Sequence, residues 1–275
     1  MNNSYSTPLL TIAIPTFNRH KYLTELLPQL LSQTKEETKG VVEILVIDNA
    51  STDETSNLLI SSVDNCLNYI RNSENIGADR NFLKCIQLAR GEYVWLFGDD
   101  EILNPKGIQR ILKYLELKPD LIVAESARQE TEIFKSYIEL LEKLTVSDPI
   151  FPVHQTLITR NIFKKEIFDM SFAKKMIHTN YAHLYGLISK LKKDCKIIVI
   201  SKNESAFSVR DIRAEFADPP INLEKKLVEL NRFIAKEINY PKLATDIYLY
   251  YNARSIYRLR RSKKFRKFLE FLGFR

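Results

Sequence analysis

Arg90-Gly-Glu-Tyr-Val-Trp-Leu-Phe-Gly-Asp-Asp-Glu101 carries an apolar, aromatic run that stops on three consecutive acids. The part from Tyr93 to Phe97 has the length and the aromatic and β-branched content of a buried strand. Four more runs of this kind surround it: Leu9-Leu-Thr-Ile-Ala-Ile14, Val41-Val-Glu-Ile-Leu-Val-Ile47, Leu67-Asn-Tyr-Ile70 and Asp120-Leu-Ile-Val-Ala124. Between them the periodicity predicts helices over His20 to Ser32, Asp53 to Ser62, Ala78 to Arg90 and Pro105 to Leu117, the last with Asn104 as its cap and Pro105 at its first position. Strands alternating with helices at this spacing make βαβ units, so the expected class is α/β, a mostly parallel sheet flanked by helices.

Ligands of such sheets sit at the carboxyl ends of the strands. The segments that stand there are Pro15-Thr-Phe-Asn-Arg19, Asp48-Asn-Ala-Ser-Thr-Asp53, Asn72-Ser-Glu-Asn-Ile-Gly-Ala-Asp-Arg80 and Gly98-Asp-Asp-Glu101. Three clustered acids repel one another unless a cation or proton is shared. Oxygen ligands of this type suit Mg²⁺ or Mn²⁺ held together with substrate phosphates; a solvated acidic turn is the plain alternative. Asp48 is placed to accept hydrogen bonds from a base or ribose, or else to form a turn with Asp53 capping the next helix. Gly77 and Arg80 suit a diphosphate, Arg80 being otherwise a helix-surface charge. Glycines stand at 40, 77, 91, 98, 107, 186 and 273, so neither G-x-G-x-x-G nor a P-loop can be written.

Beyond Ala124 the pattern predicts helices over Glu132 to Leu144, Phe163 to Asp169 and Asn180 to Lys193, with strands at Lys196 to Ile200 and Ser205 to Val209. After Pro219-Pro220 the chain reads as helices from Asn222 to Ile238 and from Lys242 to Arg261, which places the one soft boundary at Pro219. The net charge of +7 is carried by the tail: Arg258 to Arg275 holds eight basic residues and one acid. A near-neutral body argues against a protein that wraps nucleic acid. Within the tail, Phe265, Phe268, Leu269 and Leu272 fall on one helical face with Lys and Arg on the other. Such a helix over 262–275 lies on an anionic membrane, or packs its apolar stripe on the body. Cys66, Cys85 and Cys195 are odd in number and lack a C-x-x-C pair, which fits a reducing compartment. No apolar run approaches the roughly 18 residues of a membrane span, and the N-terminal stretch lacks signal-peptide character.

Ile12-Ala-Ile-Pro-Thr-Phe-Asn-Arg19, Glu43-Ile-Leu-Val-Ile-Asp-Asn-Ala-Ser-Thr-Asp53, Asn75-Ile-Gly-Ala-Asp-Arg-Asn81 and the opening stretch follow one another in an order that resembles the family 2 glycosyltransferases of GT-A fold. The resemblance covers about residues 8–125, and its wording is closest to the bacterial abequosyltransferase-type branch, which decorates O-antigen and related surface glycans. It implies a GT-A domain over 1–219, with a nucleotide-sugar half at about 8–125 and an acceptor half at about 126–219, followed by C-terminal helices over 220–275. It implies transfer of a hexosyl or deoxyhexosyl group, with inversion, from a nucleotide-diphosphate sugar to a hydroxyl of a glycan or lipid-linked glycan. A peripheral place at the cytoplasmic face of the membrane follows, with no nucleic-acid partner and oligomers allowed.

Carried over residue by residue, the resemblance implies that Pro15, Thr16 and Asp48 hold base and ribose beside Asn18, Arg19 and Asn49. Gly77 and Arg80 fall near the diphosphate. Gly98 stands where the usual Asp-x-Asp begins, so Asp99 takes the middle position and Asp100 that of the ligand for Mn²⁺ or Mg²⁺. The helix that supplies a general base in many members matches Thr179 to Leu184, with Asn180 and Tyr181 at its Glu-Asp positions. His183 is then the candidate base or third metal ligand, ahead of His154, His178, Asp169 and the acids from Glu125 to Glu132. A fold-retaining inactive scaffold is the alternative. A sugar nucleotidyltransferase would open with a glycine-rich loop where this chain has Pro-Thr-Phe-Asn-Arg.

Overall fold

Leu10–Thr16 is buried at all seven positions and forms β1, the strand around which the sheet is built. The computed structural model describes residues 7–34, 38, 40–62, 67–124, 128–147, 157–191, 194–210 and, further on, 229, 230, 232–234 and 236. On one side of β1 lie β2 (Val42–Asp48) and then β3 (Leu67–Arg71), on the other β4 (Tyr93–Leu96), all parallel. The connecting helices are α1 (His20–Gln33), α2 (Thr55–Ser62) and α3 (Ala78–Leu88). There follow β5 (Ile102–Leu103), α4 (Gly107–Leu115), β6 (Leu121–Val123), β7 (Glu132–Phe134), α5 (Tyr137–Ser147), β8 (Asn161–Lys164), α6 (Met170–Lys175), α7 (Ala182–Ile188), β9 (Ile197–Val199) and β10 (Phe207–Ser208). The main sheet runs β3-β2-β1-β4-β8-β6-β9-β7, and β5 pairs with β10 in a separate two-stranded ladder.

Side-chain alternation sends the sheet's two faces into two cores. Ala13, Leu45, Ile47, Val94 and Leu96 pack under α3 and the second-half helices, whereas Ile12, Ile14, Ile44, Val46, Trp95 and Phe97 pack under α1 and α4. Parallel strands covered on both faces account for their unbroken apolar runs. Leu230 and Ile234, from the helical residues past 229, bury into the first of these cores.

The structure differs from the sequence expectations in the second half. Glu132 to Leu144 is not one helix: Glu132–Phe134 is a strand, and the helix starts after Ser136, whose Oγ accepts the Glu139 N–H (3.1 Å) while Glu139 accepts the Lys135 N–H (2.8 Å). Phe163 to Asp169 opens as the end of β8 and continues as a single 3₁₀ turn, because the gap between β4 and β6 is filled by an antiparallel strand. The helix expected from Asn180 spans only Ala182–Ile188, since Asn180 has φ 67°. Asn104 does not cap α4: Lys106 does, at φ 57°, and the Asn104 amide instead donates to the Ser205 carbonyl (3.0 Å) beside the β5–β10 ladder. Cys85 and Cys195 are buried thiols. The Pro219 boundary, Cys66, His154 and the 262–275 tail lie outside the described residues. Among those described, no helix is long and apolar enough to cross a membrane.

Candidate active site

β2 and β4 leave β1 on opposite sides, so the strand order reverses at β1 and a crevice opens at its carboxyl end. There the structure has a cavity of about 510 Å³. One wall is Pro15, Thr16, Phe17 and Arg19 following β1; another is Asn49 and Asn75; Gly77, Ala78, Asn81 and Phe82 come from the start of α3. Gly98, Asp99, Asp100 and Glu101 close it from β4, and Leu157, Ile158 and Thr159 from the segment leading into β8.

The acidic loop is held from three directions. Thr159 Oγ accepts the Gly98 N–H (2.8 Å), and the Thr159 carbonyl accepts the Trp95 indole N–H (2.7 Å). The β5–β10 ladder fixes the chain after Glu101, and beyond it Arg210 donates to the Asp100 carbonyl (3.2 Å) and pairs with Glu25 (2.7 Å). Arg19 lies 3.5 Å from the Asp99 carboxylate, and both arginines face the Tyr22 ring. Burial, and next the Asp100 charge, push the Asp99 carboxyl up to about 7, while the Thr16 hydroxyl and Arg19 favour its charged form. Asp100 is half-buried and lines the cavity. A Cβ at Gly98 would come within 3.0 Å of Glu101 Cγ and 3.1 Å of Asp100 Oδ1, so the missing side chain leaves the Asp100 carboxylate its place.

Of the residues expected from the sequence, Pro15, Thr16, Arg19, Asn49, Gly77, Asp99 and Asp100 meet in this cavity. Four others do not line it. Asp48 is fully buried: its carboxylate accepts from the Ser51 N–H (2.9 Å), the Ser51, Ser56 and Tyr69 hydroxyls (2.5, 3.0 and 3.1 Å), and pairs with Arg71 (3.3 Å). Its neighbour Asn49 takes the wall position, tied to Asn75 (2.7 Å) and Asn72 (3.0 Å). Asn18, at φ 54°, accepts the Thr52 N–H (2.7 Å) and braces the loops after β1 and β2. Arg80 is exposed and lines neighbouring cavities. His183 is 4% exposed and packs edge-on against Phe82, centroids 5.5 Å apart; the phenyl ring reaches the cavity and the imidazole does not.

Among the lesser candidates, Asp169 caps α6 by accepting the Phe172 N–H (2.8 Å), and Glu132 is bridged to Arg128 and Lys143. The sequence reading missed Asp79. Its carboxylate accepts the backbone N–H groups of His178 (2.8 Å), Asn180 (2.9 Å) and Ala182 (3.2 Å), so α3 holds the loop that leads into α7. It also missed Thr159 and Phe82. Phe82 adjoins the quoted Asn75–Asn81 motif, whereas Thr159 stands among residues with no periodicity to mark them.

Residues 11–185 match the sequence model of glycosyl transferase family 2, more than half of the chain. The chain belongs to this family. This family 2 glycosyltransferase is similar to abequosyltransferase RfbV of Salmonella typhimurium, 29% identical over 263 residues that span 87% of this chain and 75% of that one. It is 27% identical over 185 residues to an uncharacterized glycosyltransferase of Haemophilus influenzae, covering 66% of this chain and 52% of that one. In fold the family 2 glycosyltransferase is similar to S. aureus TarS 1-349 solved with UDP-GlcNAc (TM-score 0.61, 17% identity, 86% of this chain and 70% of that one). It is also similar to the mannosyltransferase PcManGT of Pyrobaculum calidifontis solved with GDP-Man and Mn²⁺ (TM-score 0.51, 16% identity, 96% and 84% covered). The GT-A-like α/β architecture expected from the motifs is the one observed.

Proposed function

We propose that the chain moves a hexosyl or deoxyhexosyl group, with inversion, from a nucleotide-diphosphate sugar in the cavity to an acceptor hydroxyl, in the synthesis of a bacterial surface polysaccharide such as O-antigen. The observation that carries this reading is the pair of carboxylates, Asp99 and Asp100, held at the switch point of the sheet where a diphosphate fits. It is supported by RfbV being an abequosyltransferase and by TarS and PcManGT having been solved with nucleotide sugars.

The donor set fits a hard divalent ion: adjacent carboxylates whose mutual repulsion a cation relieves, with substrate phosphates to complete the shell. Asp100, with Asp99 beside it, would hold Mn²⁺ or Mg²⁺, which when bound offsets the charge growing on the diphosphate. Arg19 orients the Asp99 carboxylate and adds a fixed cation at the same wall. Pro15, Thr16 and Asn49 form the end suited to base and ribose, and Gly77 lets the backbone approach the diphosphate. Phe82 and Leu157 supply part of the apolar lining of the cavity. The basic residues of 262–275 are assigned to an anionic membrane surface, tested by cosedimentation with anionic vesicles before and after their removal.

A donor-hydrolysis screen across UDP-, GDP-, dTDP- and CDP-sugars with Mn²⁺ and Mg²⁺ tests the reading. One donor should turn over, and Asp100→Ala should abolish its metal-stimulated hydrolysis. Full metal-dependent activity in Asp100→Ala removes the assignment. A second reading, a donor-binding protein without turnover, is favoured by glycine at position 98, and predicts nucleotide binding with no hydrolysis or transfer.

A further inference from the structure

Gly77 and Ala78 line the donor cavity on one side and, on the other, a second cavity of about 450 Å³. Its wall is basic, with Arg80 from α3 and Lys174 and Lys175 from α6. A third cavity of about 440 Å³ continues the same cleft along α3: it shares Arg80, Lys174 and Ile177 and adds Lys84 and Leu88. Asp79 is the one acid on these walls among the described residues, and its carboxylate is already occupied by three backbone N–H groups. Lys174 and Lys175 are exposed and make no ion pair with any described residue.

Arg80, Lys174 and Lys175 place three cations on a concave wall without a free carboxylate, with Lys84, whose Nζ donates to Asn72 Oδ1 (2.6 Å), further along the cleft. A group with several anionic oxygens offsets that charge. The hydroxyls of a neutral saccharide can accept from these groups but leave their charge uncompensated. The donor's own diphosphate belongs with Asp100 in the adjoining cavity, so the basic cleft is left for the other substrate.

We propose that this cleft is an acceptor subsite for a phosphoryl group: Arg80, Lys174 and Lys175 hold a phosphate of the acceptor while its hydroxyl reaches the donor sugar across Gly77 and Ala78. The assignment rests on the glycosyl-transfer reading above. Leu88, 38% exposed beside these cations, provides an apolar contact for an aliphatic chain attached to that phosphate.

The test titrates inorganic phosphate and octyl phosphate, the latter below its micelle concentration, into the full chain by calorimetry. The protein is used alone and saturated with Mg²⁺ and whichever nucleoside diphosphate it binds. Saturable phosphate binding is expected in both forms, weakened at least tenfold in K174E/K175E, while nucleoside-diphosphate affinity stays as in the parent chain. Absence of saturable binding, equal affinity in K174E/K175E, or displacement of phosphate by the nucleoside diphosphate overturns the subsite. Tighter octyl phosphate identifies an acceptor with an aliphatic phosphate, and equal affinities show that the cleft reads the phosphoryl group without an aliphatic contact; both uphold a phosphoryl site. Failure of every nucleoside diphosphate to bind counts against glycosyl transfer, and the titration of the unloaded protein still decides the cleft.

Discussion

Asp48 shows how little of a carboxylate's task is written in its position along the chain. It ends a strand at the crevice, where a base-binding acid would stand, yet it makes the turn with Ser51 that the sequence also allowed and gathers Ser56 of α2 and Tyr69 and Arg71 of β3, which the fold brings to it. Asp48→Ala would leave several buried donors unmatched, at about 1–3 kcal/mol for each one that water cannot reach. We expect a loss of about 3 kcal/mol in urea unfolding, with Asp48→Asn intermediate; an unchanged midpoint would show that water replaces the carboxylate. Asp99 differs because its environment opposes its charge. Its ordinary value of 3.8 is raised to about 7, so between those limits the folded chain keeps a proton that the unfolded chain has lost. Stability from this group therefore falls as pH rises through that window and levels off above it. In EDTA, the gain in unfolding midpoint of Asp99→Asn over the parent chain should be larger at pH 8 than at pH 5; a pH-independent difference would contradict the assignment.

At the level of elements, the main-sheet strands and the helices of the first half were legible because each has an apolar pattern, whereas the two-residue β5 was not. Their motifs nevertheless mix support with chemistry. Arg90-Gly91 belongs to the support: a Cβ on Gly91 would sit 2.5 Å from the Thr11 backbone nitrogen, and Arg90 donates to the buried Glu43 carboxylate (2.6 Å), which also accepts from Thr11 (2.7 Å) and Asn68 (2.9 Å). Only the far end of the same quoted stretch reaches the cavity. In the second half β7 (EIF) and β8 (NIFK) were missed because polar residues break their short apolar runs, whereas β6 (LIV) and β9 (IIV), no longer, are apolar throughout. Asp79 links the halves, with α3 supplying the acceptor for three N–H groups before α7. Its replacement by alanine should cost about 3 kcal/mol in urea unfolding and raise amide exchange at 178–182. Unaltered exchange there would leave the loop held by other contacts.

For the whole molecule, the expected division at about residue 125 is crossed both by the cavities, whose walls mix residues from the two sides of it, and by the sheet. β8, from beyond residue 126, lies between β4 and β6 of the first half. No periodicity could show this, since insertion order is a property of long-range pairing. It bears on synthesis. When the ribosome has released the first 125 residues, β4 with its buried Trp95 has one side unpaired, and β6 has neither β8 nor β9 beside it. At about 5–20 residues per second, the forty or so residues up to Lys164 arrive roughly 2–8 s later. Through that interval the nascent chain presents an apolar strand edge of the type that aggregates. Chains stalled near residue 130 should therefore be protease-sensitive and bound by chaperones, whereas the full chain extended by a linker and held on the ribosome should resist. Equal resistance in the two would mean that the first half closes its own edge during translation.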